Sequence, residues 1–290
     1  MNRILTLLAL SCAPALASPI NEQIDLPDGN EVLIENTCGE ITVAGLERDG
    51  VVVRGELGDD AELNVSRSGK RVSVRVKGDG EGFFSGWSED ACATLRVEVP
   101  VHTELSIEAV SAEIEIGGVH SEISVEVVSG DIWIGEGPSS VDIESVSSDV
   151  TLKGVTRELE VELVSGDVTV ENAHGRVDFT SVSGDLNLSG AGLSRVQAES
   201  VSGDIRIVGG LESGARLDLT CHSGDVDMVL PKGTSGAFEV QSFSGGIDLM
   251  GVKPKSREYG PGASLNHAIG EGSAEISITT FSGNVEIKEQ

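Results

Sequence analysis

From Val110 onward, short runs of alternating hydrophobic and polar residues return at a fixed interval. VSAEI begins at 110, VSGDI at 128, VSSDV at 146, VSGDV at 164 and VSGDL at 182, which is a spacing of 18 four times in succession. VSGDI at 201, HSGDV at 222, FSGGI at 243 and FSGNV at 281 follow at steps of 19, 21, 21 and 38. An earlier degenerate copy stands at Thr37-Cys38-Gly39-Glu40-Ile41. Within the unit from Val164 to Ser181, V-S-G-D-V-T-V and V-D-F-T-S flank the polar turn E-N-A-H-G-R. Alternation turns Val168, Val170, Val177 and Phe179 inward and Thr169 and Asp178 outward, the pattern of half-buried strands. Neither segment buries its face alone, whereas identical coils stacked at ~4.8 Å give each strand two partners and align the apolar residues in columns. The prediction is all-β: a parallel β-solenoid, with two short strands per coil of about 18–21 residues and copies stacked in chain order. A right-handed path is the default for parallel crossovers.

Three segments follow from composition. Residues 1–17 carry Asn2-Arg3, an apolar run from Ile4 to Leu10, and Ala15-Leu16-Ala17, the pattern of a secretory signal peptide, so the mature chain is expected to begin at Ser18. The alternative is lipoprotein processing at Cys12, after Ala9-Leu10-Ser11. Residues 18–100 read as a less regular N-terminal β region or cap, and 101–290 as the repeats, with an insertion at 250–273. No later segment is long and apolar enough to span a bilayer. Extracytoplasmic localisation, periplasmic or secreted, would leave Cys38, Cys92 and Cys221 in an oxidising compartment. Cys38 with Cys92 is the preferred pair and three free thiols the alternative; no Cys/His spacing supports zinc.

Charge narrows the function classes. The 290 residues include 20 Lys and Arg against 48 Asp and Glu, for a net charge of −28, which disfavours nucleic acid as a partner. Aromatic residues make up only 3% while there are 37 glycines, a bias toward tight turns over large aromatic cores. Between residues 110 and 250 there are 24 acidic and 7 basic residues. The acids fall in columns: Asp142, Glu160, Asp178, Asp218 and Glu239 at one outward position, Glu126, Glu144, Glu162 and Glu199 at the next. Such a face keeps a long sheet soluble, or it attracts cationic partners or divalent ions.

The repeated Ser-Gly-Asp corner has a local mechanism, because Gly accepts a positive φ and Ser and Asp side chains bond nearby backbone amides. Asp131, Asp149, Asp167, Asp185, Asp204 and Asp225 then form a like-charge column that needs amides, basic neighbours or cations beside it. Calcium is the candidate cation, opposed by the lack of a regular carboxylate on the facing corner. No other cofactor is implied. A serine that recurs in every coil is a structural element, not a nucleophile. Asp227 and Asp248, expected one coil apart, are the best carboxylate pair for a polysaccharide-cleaving enzyme, but five scattered His supply no triad and the chain reads as non-enzymatic.

The tract Leu95-Arg-Val-Glu-Val-Pro100, then Leu105-Ser-Ile-Glu-Ala-Val-Ser111, the serial V-S-G-D-hydrophobic corners and the closing Gly270-to-Val285 segment resemble the bacterial putative adhesin family of unknown function over about residues 30–290. The resemblance implies a β-solenoid outside the cytoplasm engaged in cell-envelope interactions, with no catalytic residue to carry over. This chain departs from the motif at Gly246 and Asn284. Two irregular stretches are candidate binding loops: Phe83, Phe84 and Trp87 in GDGEGFFSGWSEDAC, and the basic cluster Lys253, Lys255, Arg257 and Tyr259. Trp133 is expected outward between Glu115 and Thr151. The expected partner is a cell-envelope protein or a surface glycan, and self-association of a structural envelope protein is the alternative.

Overall fold

The computed structural model describes residues 18–26, 30–78, 92–154, 157–254 and 262–290. Among these residues 21 strands and no helices occur, and the strands join in one hydrogen-bonded sheet. The 18-residue spacing becomes a register. β8 (Glu122–Ser129), β10 (Ser140–Ser147) and β12 (Glu158–Ser165) pair in parallel, so that Val125, Ile143 and Val161 lie side by side. A second ladder runs behind the first through β7 (Glu104–Gly117), β9 (Ile132–Ile134) and β11 (Val150–Lys153). Apolar side chains from both ladders meet between them: Ile107, Val125, Ile143, Val161 and Phe179 from the front, and Ile116, Ile134, Leu152 and Val170 from the back, are each no more than 1% exposed. Each rung thus buries about four aliphatic residues, worth ~1.5–3 kcal/mol apiece, and no rung does so without its neighbours.

Two features differ from the spacing-based expectation. β13 (Val168–Ser183), β14 (Leu186–Ser202) and β15 (Ile205–Ser223) run through the second corner as single long strands. Small residues explain this continuity. A Cβ on Gly190 would lie 2.2 Å from the carbonyl oxygen of Ala173, and one on Gly209 1.7 Å from that of Gly190, so the rungs stay within pairing distance while register shifts absorb the bend.

The stack also departs from chain order. β20 (Ala274–Ser282) lies between β15 and β17 (Gly236–Ser244), pairing in parallel with both. β21 (Val285–Glu289) likewise lies between β16 (Val226–Leu230) and β18 (Ile247–Leu249). The last copy in sequence is therefore the penultimate rung in space. The outer side of β17 is taken by the antiparallel β19 (Ala263–Ile269), which occupies the edge the last copy would have joined. This overturns the expected adjacency of Asp227 and Asp248: both pair with Glu286, which stands between them, so they are two strand spacings apart.

At the other end, β2 (Glu31–Leu46) is a full rung against β7, with Ile34 beside Ile107, Cys38 beside Ser111 and Ile41 beside Ile114. β5 (Arg71–Gly78) and β6 (Ala93–Pro100) pair with its outer side in parallel. Antiparallel β4 (Ala61–Ser68) then lies on β5, β3 (Val51–Leu57) on β6, and β1 (Ser18–Ile24) on β3. A disulfide joins Cys38 to Cys92, which tethers the start of β6 to the corner of β2.

Cys221 lies between Ser200 and Thr280 in an inward column that also holds Val127, Ser145, Leu163, Ser181 and Ser242, and is 1% exposed. Its thiol donates to the carbonyl of Gly203 at 3.3 Å, and burial pushes its pKa up. An inaccessible thiol with little thiolate does not react. In unreduced protein of residues 18–290, Ellman's reagent is expected to detect no thiol in the native state and one per chain in 6 M guanidinium; rapid native labelling would contradict this packing.

Candidate functional site

The site is assembled at the Ser-Gly-Asp corner, where front strands turn into back strands. Gly166, Gly184, Gly203 and Gly224 have φ between 122° and 153°, and their N–H groups donate to the corner serine carbonyls of the next rung at 3.0–3.1 Å. The aspartates solve their own charge problem. Asp149 Oδ1 accepts the N–H of Asp167, Asp167 that of Asp185, Asp185 that of Asp204, and Asp204 that of Asp225, all at 2.8–2.9 Å. The ladder continues in spatial order: Asn284 donates its N–H to Asp225 at 2.7 Å and accepts from Gly246 at 2.9 Å. Asn284 thus substitutes for Asp as an acceptor. Gly246, on the last rung, has no further rung to serve. Among the described residues no group of three His, Cys, Asp or Glu is placed to hold a metal ion.

Beside the corner lie the acidic rows. Glu35, Glu108, Glu126, Glu144 and Glu162 stand in direct register on five adjacent strands. Arg75 pairs with Glu35, while Glu126, Glu144 and Glu162 have no ion-pair partner among the described residues. In the next row Asp142, Glu160 and Asp178 are in register, and Arg176 bonds Asp178 at 2.6 Å. Partial burial, with Glu35 and Glu126 nearby, raises the pKa of Glu108 against the pull of Arg75 and Arg71. Asp142 is raised by burial and by Glu144 and Glu162, and Glu160 by burial and by Asp142 and Asp178.

These three shifts have one sign. A carboxyl whose folded pKa exceeds its unfolded value binds protons more readily when folded, so it costs stability above the folded pKa, and that cost is gone below the ordinary values of 3.8 for Asp and 4.5 for Glu. Lowering the pH from 7.5 to 5 is expected to raise Tm, because part of this cost is relieved as these carboxyls take up protons. Differential scanning calorimetry checks it, and a Tm that falls over this range contradicts the strain assigned to these rows.

Between the glutamate row and the aspartate ladder runs a line of exposed apolar side chains, one per rung. Val128, Val146, Val164, Val182 and Val201 are 44–51% exposed. His222, Phe281 and Phe243 complete it, their rings stacked at 4.9 and 4.7 Å with planes 7° apart. Phe281 reaches this position because β20 inserts between β15 and β17. Seven of the nine exposed large hydrophobics among the described residues belong to this line.

The sequence-derived candidates are scattered by comparison. Trp133 stands between Glu115 and Thr151 on the back ladder, 37% exposed, with its ring lying over Gly135. Lys253 is exposed, four residues past the end of β18. Phe83, Phe84, Trp87, Lys255, Arg257 and Tyr259 lie outside the described residues. The corner line itself carries a readable signal: in Val125-Glu126-Val127-Val128, Val128 has outward parity, and its equivalents remain hydrophobic or aromatic in every later copy.

The family model described as Toastrack DUF4097 matches residues 29–288. No curated protein sequence matches the chain. Among solved structures, the chain is similar to a putative adhesin from Bacteroides fragilis, at 11% identity and a TM-score of 0.44 over 94% of this chain and 97% of that one. It is also similar to a putative lipid binding protein from Parabacteroides distasonis, at 13% identity and a TM-score of 0.39 over 94% and 96%. A putative cell adhesion protein from Clostridium sporogenes aligns at 13% identity and a TM-score of 0.29 over 94% and 100%.

Proposed function

The chain belongs to the Toastrack DUF4097 family, and from that premise we propose that it is an extracytoplasmic, non-enzymatic β-solenoid that binds another component of the cell envelope in the manner of an adhesin. The observation that carries the reading is the corner face, where an acidic row and an apolar line run together along a rigid stack. A stacked scaffold of this kind presents an extended surface, and the function resides in what that surface contacts. The Cys38–Cys92 disulfide supports an oxidising compartment. Growth by end-to-end stacking is opposed by the antiparallel β4 and β19, which close the front ladder at its two ends.

The test is crosslinking capture from the native envelope with residues 18–290 as bait, beside a Glu126→Gln, Glu144→Gln, Glu162→Gln variant shown to be folded. Capture of an envelope component by the unmodified bait alone supports the reading. Recovery of nothing but the bait itself would replace it with a structural, self-associating role.

A further inference from the structure

The corner geometry points to the ligand class: we propose that the apolar line and the adjoining glutamates form a docking groove for a cationic amphipathic polypeptide segment lying along the stack. The inference rests on the binding-scaffold reading above and assigns the partner's chemistry.

Folding does not require apolar residues at this position. The corner network uses only its backbone, as when Ser165 Oγ donates to the carbonyl of Val146 at 3.2 Å. Threonine has the same shape, favours strands equally and is found at solvent-facing positions of the same rungs, such as Thr180, Thr220 and Thr279. Five half-exposed valines therefore form a contiguous apolar run, continued past the His222 imidazole by the stacked rings of Phe281 and Phe243, and exposed patches of this sort mark contacts. The line from Val128 to Phe243 has seven steps of ~4.8 Å, roughly 34 Å, the reach of about ten extended residues. A groove of about 500 Å³ runs beside its first part, with Glu126, Glu144 and Glu162 on one wall and Val128, Val146 and Val164 on the other.

Charge selects the occupant. The three glutamates lack ion-pair partners among the described residues, and the Asp149–Asp225 ladder follows the other side of the apolar line. Lys or Arg side chains fit these walls, with their methylene stems or neighbouring apolar residues covering the valines. A second copy of the chain would bring another net charge of −28 against the same face, and an anionic bilayer is repelled likewise.

The probe is a fluorescein-labelled 12-residue peptide of alternating Lys and Val, compared by fluorescence anisotropy with a Lys/Ser peptide of equal charge at ~0.15 M ionic strength. The Lys/Val peptide is expected to bind at least about tenfold more tightly than Lys/Ser. Val128→Thr, Val146→Thr, Val164→Thr should remove that preference with the circular dichroism unchanged, and Glu126→Gln, Glu144→Gln, Glu162→Gln should weaken both peptides. Val146→Thr alone, with a smaller loss of preference, serves if the triple variant misfolds. Equal affinity for the two peptides, an unaltered preference in the threonine variant, or binding of neutral phosphatidylcholine vesicles through the valines would overturn the proposal. If the captured envelope component is not displaced by the Lys/Val peptide, the docking inference fails while the scaffold reading stands; capture of nothing removes the reading itself.

Discussion

Gly184→Ala is expected to lower the unfolding free energy by about 3 kcal/mol or more, far beyond an ordinary surface substitution. Gly184 has a φ of +139°, and a Cβ there would lie 1.9 Å from the carbonyl oxygen of Gly166 on the neighbouring rung. A Cβ has no rotamer by which to escape, so the rungs must separate. That stretches the Gly166 N–H bond to the Ser183 carbonyl at 3.1 Å and the adjoining Asp185 N–H bond to Asp167 at 2.9 Å. Gly214 supplies the control: its φ is +81°, but a Cβ there meets nothing within 4 Å, so Gly214→Ala pays only the conformational term, about 1 kcal/mol. Urea unfolding of both variants checks the contrast, and equal losses would show that close rung contact is not what demands the glycine.

Removing residues 274–290 is expected to abolish the fold of the C-terminal end, not to trim it by one rung. β20 and β21 contribute Ile276, Ile278, Val285 and Ile287, each no more than 2% exposed, which amounts to roughly 6–12 kcal/mol of burial and rivals the net stability of a whole domain. The deletion also strips β15, β16, β17 and β18 of a shared partner, so residues 236–269 lose their attachment to the stack. Limited proteolysis of residues 18–273 should cleave throughout that stretch. A stable, protease-resistant fragment extending to residue 269 would contradict the insertion.

Most of the register was legible because hydrogen-bonded neighbours lie one repeat apart: Asp149 and Asp167 are separated by 18 residues, Asp185 and Asp204 by 19, and Asp204 and Asp225 by 21. The degenerate copy at Cys38 is legible for the same reason, since it pairs with Ser111 in register. The place of the last copy was not. Its corner matches any rung equally well, and only the antiparallel β19, specified by contacts distant in sequence, decides which edge is open. The polar turn residues at the second corner do mark a gap between β9 and β10, β11 and β12, and β16 and β17, whereas in β13, β14 and β15 the Ala173, Gly190 and Gly209 column lets pairing continue around it. At the site, the acidic rows followed from alternation alone. The apolar line did not stand out, because a valine inside a repeated motif reads as core until its parity against Val125 and Val127 is counted.

The claim on which the rest depends is a single continuous column of corners in which the rung of Ser282 precedes that of Ser244. In a Cys221→Ser background, spin labels at positions 129 and 244 and at 129 and 282 measure it by pulsed electron–electron double resonance. The register places Ser282 six rungs from Ser129 and Ser244 seven. The expected mean distances are ~29 Å for the 129/282 pair and ~34 Å for the 129/244 pair. The reverse order, with position 282 the farther, would mean that the copies stack in chain order and that Phe281 does not join His222 to Phe243.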